Sequence, residues 1–111
     1  MTYGACHCGA IQIAVSQAPD WVGSCNCSIC RKLAWLVAYY AESEVTIEGD
    51  TDTYVWGDRM LALHRCKVCG CVTHWRSIEP YRNPERMGVN ARLLEGFDAE
   101  HVEVRMFDNA G

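Results

Sequence analysis

Eight cysteines in 111 residues form three short clusters, and each cysteine lies within three residues of another. The clusters read Cys-x-Cys-Gly at residues 6–9, Cys-x-Cys-x-x-Cys at 25–30 and Cys-x-x-Cys-Gly-Cys at 66–71. Disulfide scaffolds usually spread their cysteines along the chain, whereas closely spaced thiolates are typical of zinc sites. The first ten residues, "MTYGACHCGA", show neither the basic start nor the apolar core of a secretory signal. We therefore predict zinc ligation in a reducing compartment.

The first and third clusters each contain a short turn that ends in glycine. Such a turn supplies two thiolates, and its glycine adopts a backbone conformation that other residues resist. A structural zinc requires four thiolate or imidazole ligands. The two turns together predict one closed site that joins the N-terminus to the middle of the chain. Its ligands would be Cys6, Cys8, Cys66 and Cys69.

The middle cluster leaves three ligands, Cys25, Cys27 and Cys30, and an open fourth position. Catalytic zinc is usually held by three protein ligands and one exchangeable position. Three thiolates make zinc a weak Lewis acid toward water, but an incoming thiol would still be deprotonated on binding. The cluster therefore suits thiol activation better than hydrolysis. The alternative is a second closed structural site, completed by Cys71 or by one of the histidines His7, His64, His74 and His101.

Three segments together resemble a known family. "YGACHCGAIQIAV", "CNCSICRK" and "CKVCG" followed by "GVNAR" resemble the glutathione-dependent formaldehyde-activating family, which includes centromere-protein-V-like proteins. The resemblance implies a single zinc-binding domain of the β-tent type over residues 1–111. It implies two zinc ions, a structural one on the first and third clusters and a second one on the middle cluster. It also implies carbon–sulfur lyase-type chemistry that joins glutathione and formaldehyde into S-(hydroxymethyl)glutathione.

Three further residues could contact a substrate at the middle cluster. Arg31 and Lys32 follow Cys30 directly and could hold a substrate carboxylate, such as those of glutathione. Their alternative role is to offset thiolate charge or to remain solvated. Asn90, in the "GVNAR" segment, could hydrogen-bond near the second zinc or could serve a turn at the end of a strand.

The elements that must position these residues are short strands. "AIQIAV" and "EVTIEG" alternate apolar and polar residues as half-buried strands do, and "AWLVAYY" at residues 34–40 is an apolar run of central-strand length. Further strands are predicted on both sides of a Gly57–Asp58 turn and in "CVTHWRS", "RMGVNAR" and "HVEVRMF". The one helical indication is "SICRKL", where Ser28 could cap a single turn that carries Cys30. We predict a mainly β fold of short antiparallel sheets with little helix.

Aromatic residues are expected in the core of these sheets. His74 and Trp75 alternate on one predicted strand, and Trp75 is the default core residue of the two, with His74 as an acid or base the less favoured alternative. Trp21, Trp35 and Trp56 are expected to be core aromatics.

Two function classes fit these features. The first is a zinc-dependent enzyme that adds a small thiol, glutathione or a similar one, to an aldehyde such as formaldehyde. The second is a zinc-stabilised binding module or thiol carrier without chemistry. Nucleic-acid binding is disfavoured, because seven thiolates and two Zn²⁺ ions add −3 to a formal charge of −4, giving −7. No segment has the length of a membrane span, so we expect a cytoplasmic protein without a membrane partner.

Overall fold

The computed structural model describes residues 1–108, and within them ten short strands form two sheets. Residues 109–111, the end of the predicted domain, lie outside this described part. Helical structure in residues 1–108 is limited to α1 (Cys30–Leu33) and two 3-10 turns, at Glu42–Glu44 and Ala91–Leu93. The predicted mainly β fold with little helix is therefore confirmed. In the same range no helix has the length and apolar character needed to cross a bilayer.

Eight of the ten strands lie in the predicted segments, whereas the first and third strands were not predicted. In chain order they are β1 (Thr2–Ala5), β2 (Gln12–Val15), β3 (Trp21–Cys25), β4 (Val37–Tyr40), β5 (Val45–Glu48), β6 (Thr51–Val55), β7 (Leu61–Cys66), β8 (Val72–Ser77), β9 (Met87–Asn90) and β10 (Glu103–Phe107). The smaller sheet has the antiparallel order β1-β2-β5. The larger sheet has the order β10-β3-β4-β9-β8-β7-β6.

One pair of strands departs from the predicted antiparallel pattern. β10 pairs with β3 in parallel, with Glu103 opposite Trp21 and Phe107 opposite Cys25. Parallel neighbours require a long crossover connection, and most of the chain lies between these two strands. Sequence alternation reports which face of a strand is buried but carries no information about strand direction, so this pairing could not be predicted from it.

Two apolar cores lie on opposite faces of the larger sheet. The main core lies between the two sheets and contains Ile13 and Val15 of β2 with Met87 and Val89 of β9. The second contains Trp35, Val37 and Leu63, with several half-buried aromatic side chains packed against them. Because neighbouring residues of a strand face opposite ways, Ala38 belongs to the main core while Val37 belongs to the second. The second core forms the wall of the cavity described below.

His74 is the more buried member of the His74–Trp75 pair. His74 is 3% exposed, whereas Trp75 is half-buried and packs against the second core. The His74 Nδ1 atom lies 2.8 Å from Thr73 Oγ1, and its ring stacks on His64 with centroids 4.1 Å apart. We expected Trp75 to be the more buried of the two, and this expectation is wrong. Of the other tryptophans, Trp35 is buried, as expected, whereas Trp21 and Trp56 are half-buried.

The buried His74 is expected to make stability pH-dependent. Burial, with the neighbouring His64 and Arg76, lowers the pKa of His74 to about 3. The unfolded chain protonates this imidazole near its usual pKa of about 6.5, so between these values the unfolded state binds a proton that the native state does not. We expect the free energy of unfolding to fall as the pH drops below about 6.5, by at most about 1.4 kcal/mol per pH unit from this group.

Urea unfolding at pH 7 and pH 5.5 tests this expectation. The variant His74→Gln should lose less stability between the two pH values than the original protein does. Protonation of the cysteine thiolates affects both proteins, so the difference between them isolates the imidazole. An equal loss in both proteins would contradict the assignment to His74.

Candidate metal centres and the adjacent cavity

The sulfur atoms of the first and third clusters converge as predicted. The Sγ atoms of Cys6, Cys8, Cys66 and Cys69 all lie within 4.8 Å of one another. Cys8 Sγ is 3.7 Å from Cys6 Sγ and 3.6 Å from Cys66 Sγ. Tetrahedral zinc with Zn–S bonds of about 2.3 Å places its sulfurs about 3.8 Å apart, whereas a disulfide requires about 2.05 Å. The donor set therefore fits zinc, and none of the cysteines forms a disulfide in the described chain.

The two turns that carry these sulfurs end in glycines of similar conformation, although the second turn is one residue longer. Gly9 and Gly70 have positive φ angles of 83° and 79°, in the region that favours glycine. The Gly9 N–H donates to Cys6 O at 3.1 Å, and the Gly70 N–H donates to Cys66 O at 3.0 Å. The Ile11 N–H donates to Cys6 Sγ at 3.3 Å. Backbone donors aimed at sulfur stabilise the thiolate form, which is the form that binds metal.

The surroundings shift the pKa values of two of these thiols in opposite directions. Backbone N–H groups of Cys71 and Cys8 lower the pKa of Cys69 to about 5. The Ala10 N–H also favours the Cys8 thiolate, but burial and hydrogen bonds to neighbouring sulfurs raise the pKa of Cys8 to about 11. Adjacent thiols oppose one another's ionisation unless a cation compensates the charge. A bound Zn²⁺ would supply that compensation.

Cys71 belongs structurally to the third turn. The Cys66 N–H donates to Cys71 O at 2.9 Å, just as the Cys6 N–H donates to Ile11 O at 3.1 Å. Cys71 thus holds the position that Ile11 holds in the first turn, half-buried against the main core. Among the described residues, neither Cys71 nor any histidine joins the sulfurs of the middle cluster. The alternative in which one of them completes that cluster gains no support.

The middle cluster forms where β3 ends and α1 begins. Cys25 is the last residue of β3, Cys30 is the first of α1, and the three Sγ atoms lie within 4.8 Å of one another. The Cys27 N–H faces Cys25 Sγ, and the Cys30 N–H faces Cys27 Sγ, each at 3.5 Å. The N-cap residue of α1 is Ile29, and no side chain caps the helix, so the predicted Ser28 cap is wrong. The backbone-to-sulfur contacts hold this turn instead.

A cavity of about 670 Å³ opens beside the three sulfurs of the middle cluster. Its volume lies in the range of small-molecule sites. Most of its lining is apolar: Ile29, Trp35, Val37, Trp56, Met60, Leu61, Leu63 and Trp75. Its polar lining outside the cysteines consists of Tyr39, Asp58 and Arg86.

Tyr39 and Arg86 form one side of this cavity. The Arg86 guanidinium lies 4.4 Å from the centroid of the Tyr39 ring. Burial raises the pKa of Tyr39, and the nearby Cys25 and Cys30 raise it further, while Arg86 opposes them. The phenol therefore stays protonated near neutral pH and can donate a hydrogen bond. Burial raises the pKa of Cys30 to about 12, although the Trp35 indole opposes this shift.

The substrate-contacting residues predicted from sequence lie apart from the cavity. Arg31 and Lys32 are exposed on α1 and do not line it. Asn90 is buried at the end of β9, where its Nδ2 donates to Val72 O at 2.8 Å and its Oδ1 accepts from the Arg92 N–H at 3.1 Å. A ligand-binding role for these three residues stays a prediction, and the observed contacts of Asn90 match its alternative role at a strand end.

Sequence reasoning did not identify the polar residues of the cavity. Tyr39 shares a strand face with Val37, so alternation could have placed it beside the second core. Asp58 lies in the β6–β7 turn, where its Oδ1 accepts from the Met60 N–H at 3.2 Å. Arg86 directly precedes β9. Nothing in the local sequence marks Asp58 or Arg86, because their place in the cavity depends on how distant strands pack.

The sequence and the fold are similar to those of known proteins. A family described as "Glutathione-dependent formaldehyde-activating enzyme" matches residues 1–108. A Halomonas elongata protein, named provisionally as an enzyme of that kind, is 43% identical over an alignment of 69 residues that covers 60% of this chain and 41% of that protein. The match thus spans less than half the length of that curated relative. The crystal structure of a Rhodobacter sphaeroides protein is similar with a TM-score of 0.76 and 30% identity, covering 93% of this chain and 99% of that one.

Proposed function

Because the chain belongs to the glutathione-dependent formaldehyde-activating enzyme family, we propose that it is a zinc-dependent carbon–sulfur lyase-type enzyme. It would add a small thiol, glutathione or a similar one, to an aldehyde such as formaldehyde. The observation that supports this proposal is the convergence of Cys25, Cys27 and Cys30 at a cavity. Among the described residues no further histidine, cysteine or carboxylate joins them, so a zinc ion held by these three would keep one position for an external ligand.

Two zinc ions would have different roles. Cys6, Cys8, Cys66 and Cys69 would hold a structural ion, and the middle cluster would hold the second. A zinc ion held there would supply an exchangeable coordination position and would favour the thiolate form of an incoming thiol.

The side chains of the cavity would assist the addition of the thiol to the aldehyde. The thiol sulfur forms a bond to the aldehyde carbon as the carbon–oxygen π bond breaks, and the oxygen takes up a proton equivalent to the one that the thiol lost. The protonated Tyr39 phenol, with the Arg86 guanidinium beside it, lines this cavity and would donate a hydrogen bond to that oxygen. The tryptophan-rich wall lowers the polarity around that oxygen, which would strengthen the hydrogen bond.

We expect two zinc ions per chain, one tightly bound and one labile, because the ligands divide into four and three. The four-ligand set is closed, whereas the three-ligand set opens on a cavity through which a chelator can compete. Elemental analysis before and after mild chelation should give two ions and then one, and zinc add-back should restore the second. A single ion per chain even after add-back would contradict a physiological second site.

We expect the zinc-loaded protein to accelerate exchange between free and thiol-bound formaldehyde. Exchange spectroscopy with ¹³C-formaldehyde and a thiol, glutathione or phenylmethanethiol, measures this rate above the uncatalysed background. Ser28→Ala, an exposed change in the same loop as the cysteines, should retain the acceleration. Thiol binding without acceleration of exchange for either thiol would instead indicate a thiol carrier.

A further inference from the structure

We infer that the thiol accepted beside the middle cluster carries a compact aromatic or apolar substituent, and that multiply charged peptide thiols bind more weakly. This inference rests on the proposed function, because it concerns the part of the thiol that lies in the cavity when sulfur meets the cluster. It follows from the lining of the cavity, from its charge and from the packing of its aromatic wall.

The lining supplies contacts for an apolar group. Trp35, Trp56 and Trp75 all line the cavity, together with aliphatic side chains of β7 and of the turn before it. Trp35 is buried, and Trp56 and Trp75 are half-buried, so their exposed surface faces a space that a ligand can fill. Covering apolar surface of this kind stabilises a complex in proportion to the area removed from water. An aromatic substituent matches this wall in both shape and polarity.

The charges of the cavity do not match a peptide thiol such as glutathione. Glutathione carries two carboxylates and one ammonium group, whereas the cavity offers one guanidinium, of Arg86, and one carboxylate, of Asp58. Arg86 is already engaged with the Tyr39 ring, and Asp58 accepts a backbone N–H within its own turn. Three thiolates with one Zn²⁺ leave a further net negative charge at the cavity end. A second ligand carboxylate inside the cavity would therefore lack a cationic partner there.

The aromatic wall is held in place by its packing. Gly88 leaves room for Trp75, since a Cβ atom there would lie 2.0 Å from Trp75 Nε1. The Trp75 and Tyr39 rings meet edge to face with centroids 6.2 Å apart. Trp56 stacks on Tyr54 with an interplanar angle of 8°. A wall fixed in this way is preorganised, which lowers the cost of binding a rigid aromatic group.

Calorimetric titration of the zinc-loaded protein compares the relevant ligands directly. The ligands are phenylmethanethiol, glutathione and phenylmethanol, the last being the oxygen analogue of the first. We expect phenylmethanethiol to bind at least about tenfold more tightly than glutathione, as expected for one aromatic ring removed from water. Trp56→Ala should weaken phenylmethanethiol on the order of tenfold and leave glutathione nearly unchanged. Tyr3→Ala, which removes an exposed aromatic from the other sheet, should change neither affinity.

The outcomes separate this inference from the proposed function. Glutathione binding as tightly as phenylmethanethiol, or an unchanged phenylmethanethiol affinity in Trp56→Ala, would overturn the inference and leave the proposed function standing. Phenylmethanol binding as tightly as phenylmethanethiol would count against the proposed function, because sulfur would then add nothing. If Trp56→Ala still weakened both aromatic ligands, selection for an apolar group would be supported independently of the reaction.

Discussion

Cys66→Ser is expected to give insoluble or molten protein. Cys66 is 2% exposed within the main core, and its sulfur accepts the N–H groups of Val68 at 3.3 Å and of Cys69 at 3.5 Å. The substitution opens the four-sulfur site that joins the β1–β2 turn to the β7–β8 turn. The zinc-linked folding energy of such sites is about 10–16 kcal/mol, and a typical domain has a stability of only about 5–15 kcal/mol. Near-ultraviolet circular dichroism and thermal melting measure the loss.

Cys71→Ser is the matched control for this prediction. Cys71 lies in the same turn, and its replacement by serine is the same chemical change. Its sulfur, however, is outside the four-ligand set. We expect a cost of about 1 kcal/mol, the usual size for a half-buried substitution. Equal loss of folding in both variants would show that the turn is sensitive to any change and would remove the support for a metal at Cys66.

The pairing of the first and third clusters could be predicted from sequence because its determinants are local. A turn of two thiols and a glycine specifies its own backbone, as the similar φ angles of Gly9 and Gly70 show. Two such half-sites, each with two sulfurs, together complete a tetrahedron, whereas the middle cluster already has three. Alternating strands such as β2 and β5 were predictable for the same reason, since alternation between neighbouring residues reports burial directly, whereas β1 and β3 were not predicted.

Features that depend on tertiary packing were not predictable. The apolar run at residues 34–40 was expected to form one strand, yet β4 begins at Val37 because Ala34 takes a positive φ of 54° and ends α1. Its N–H donates to Cys30 O at 2.9 Å, so the cysteine turn determines where the strand begins. The cavity likewise combines Tyr39 of β4, the β6–β7 turn and Arg86, which no local pattern connects.

Cys27→Ser is expected to remain folded and to lose the second zinc together with the thiol reaction. Cys27 lies between β3 and α1 in a half-buried loop, and its sulfur is outside both apolar cores. We expect the free energy of unfolding to change by less than about 2 kcal/mol, as for a loop substitution. Exchange of ¹³C-formaldehyde with the thiol should fall to the uncatalysed rate, because two thiolates no longer form a site that holds the metal.

The contrast between Cys27→Ser and Cys66→Ser tests the division of the cysteines into a structural and a functional set. Ser28→Ala is the control here, since it alters the adjacent exposed residue without changing a sulfur. It should retain two zinc ions and the exchange rate, while Cys27→Ser retains one ion and a cooperative thermal transition. If Cys27→Ser unfolded as completely as Cys66→Ser, the middle cluster would be a structural site. The cavity would then require a function that does not depend on a metal-bound thiol.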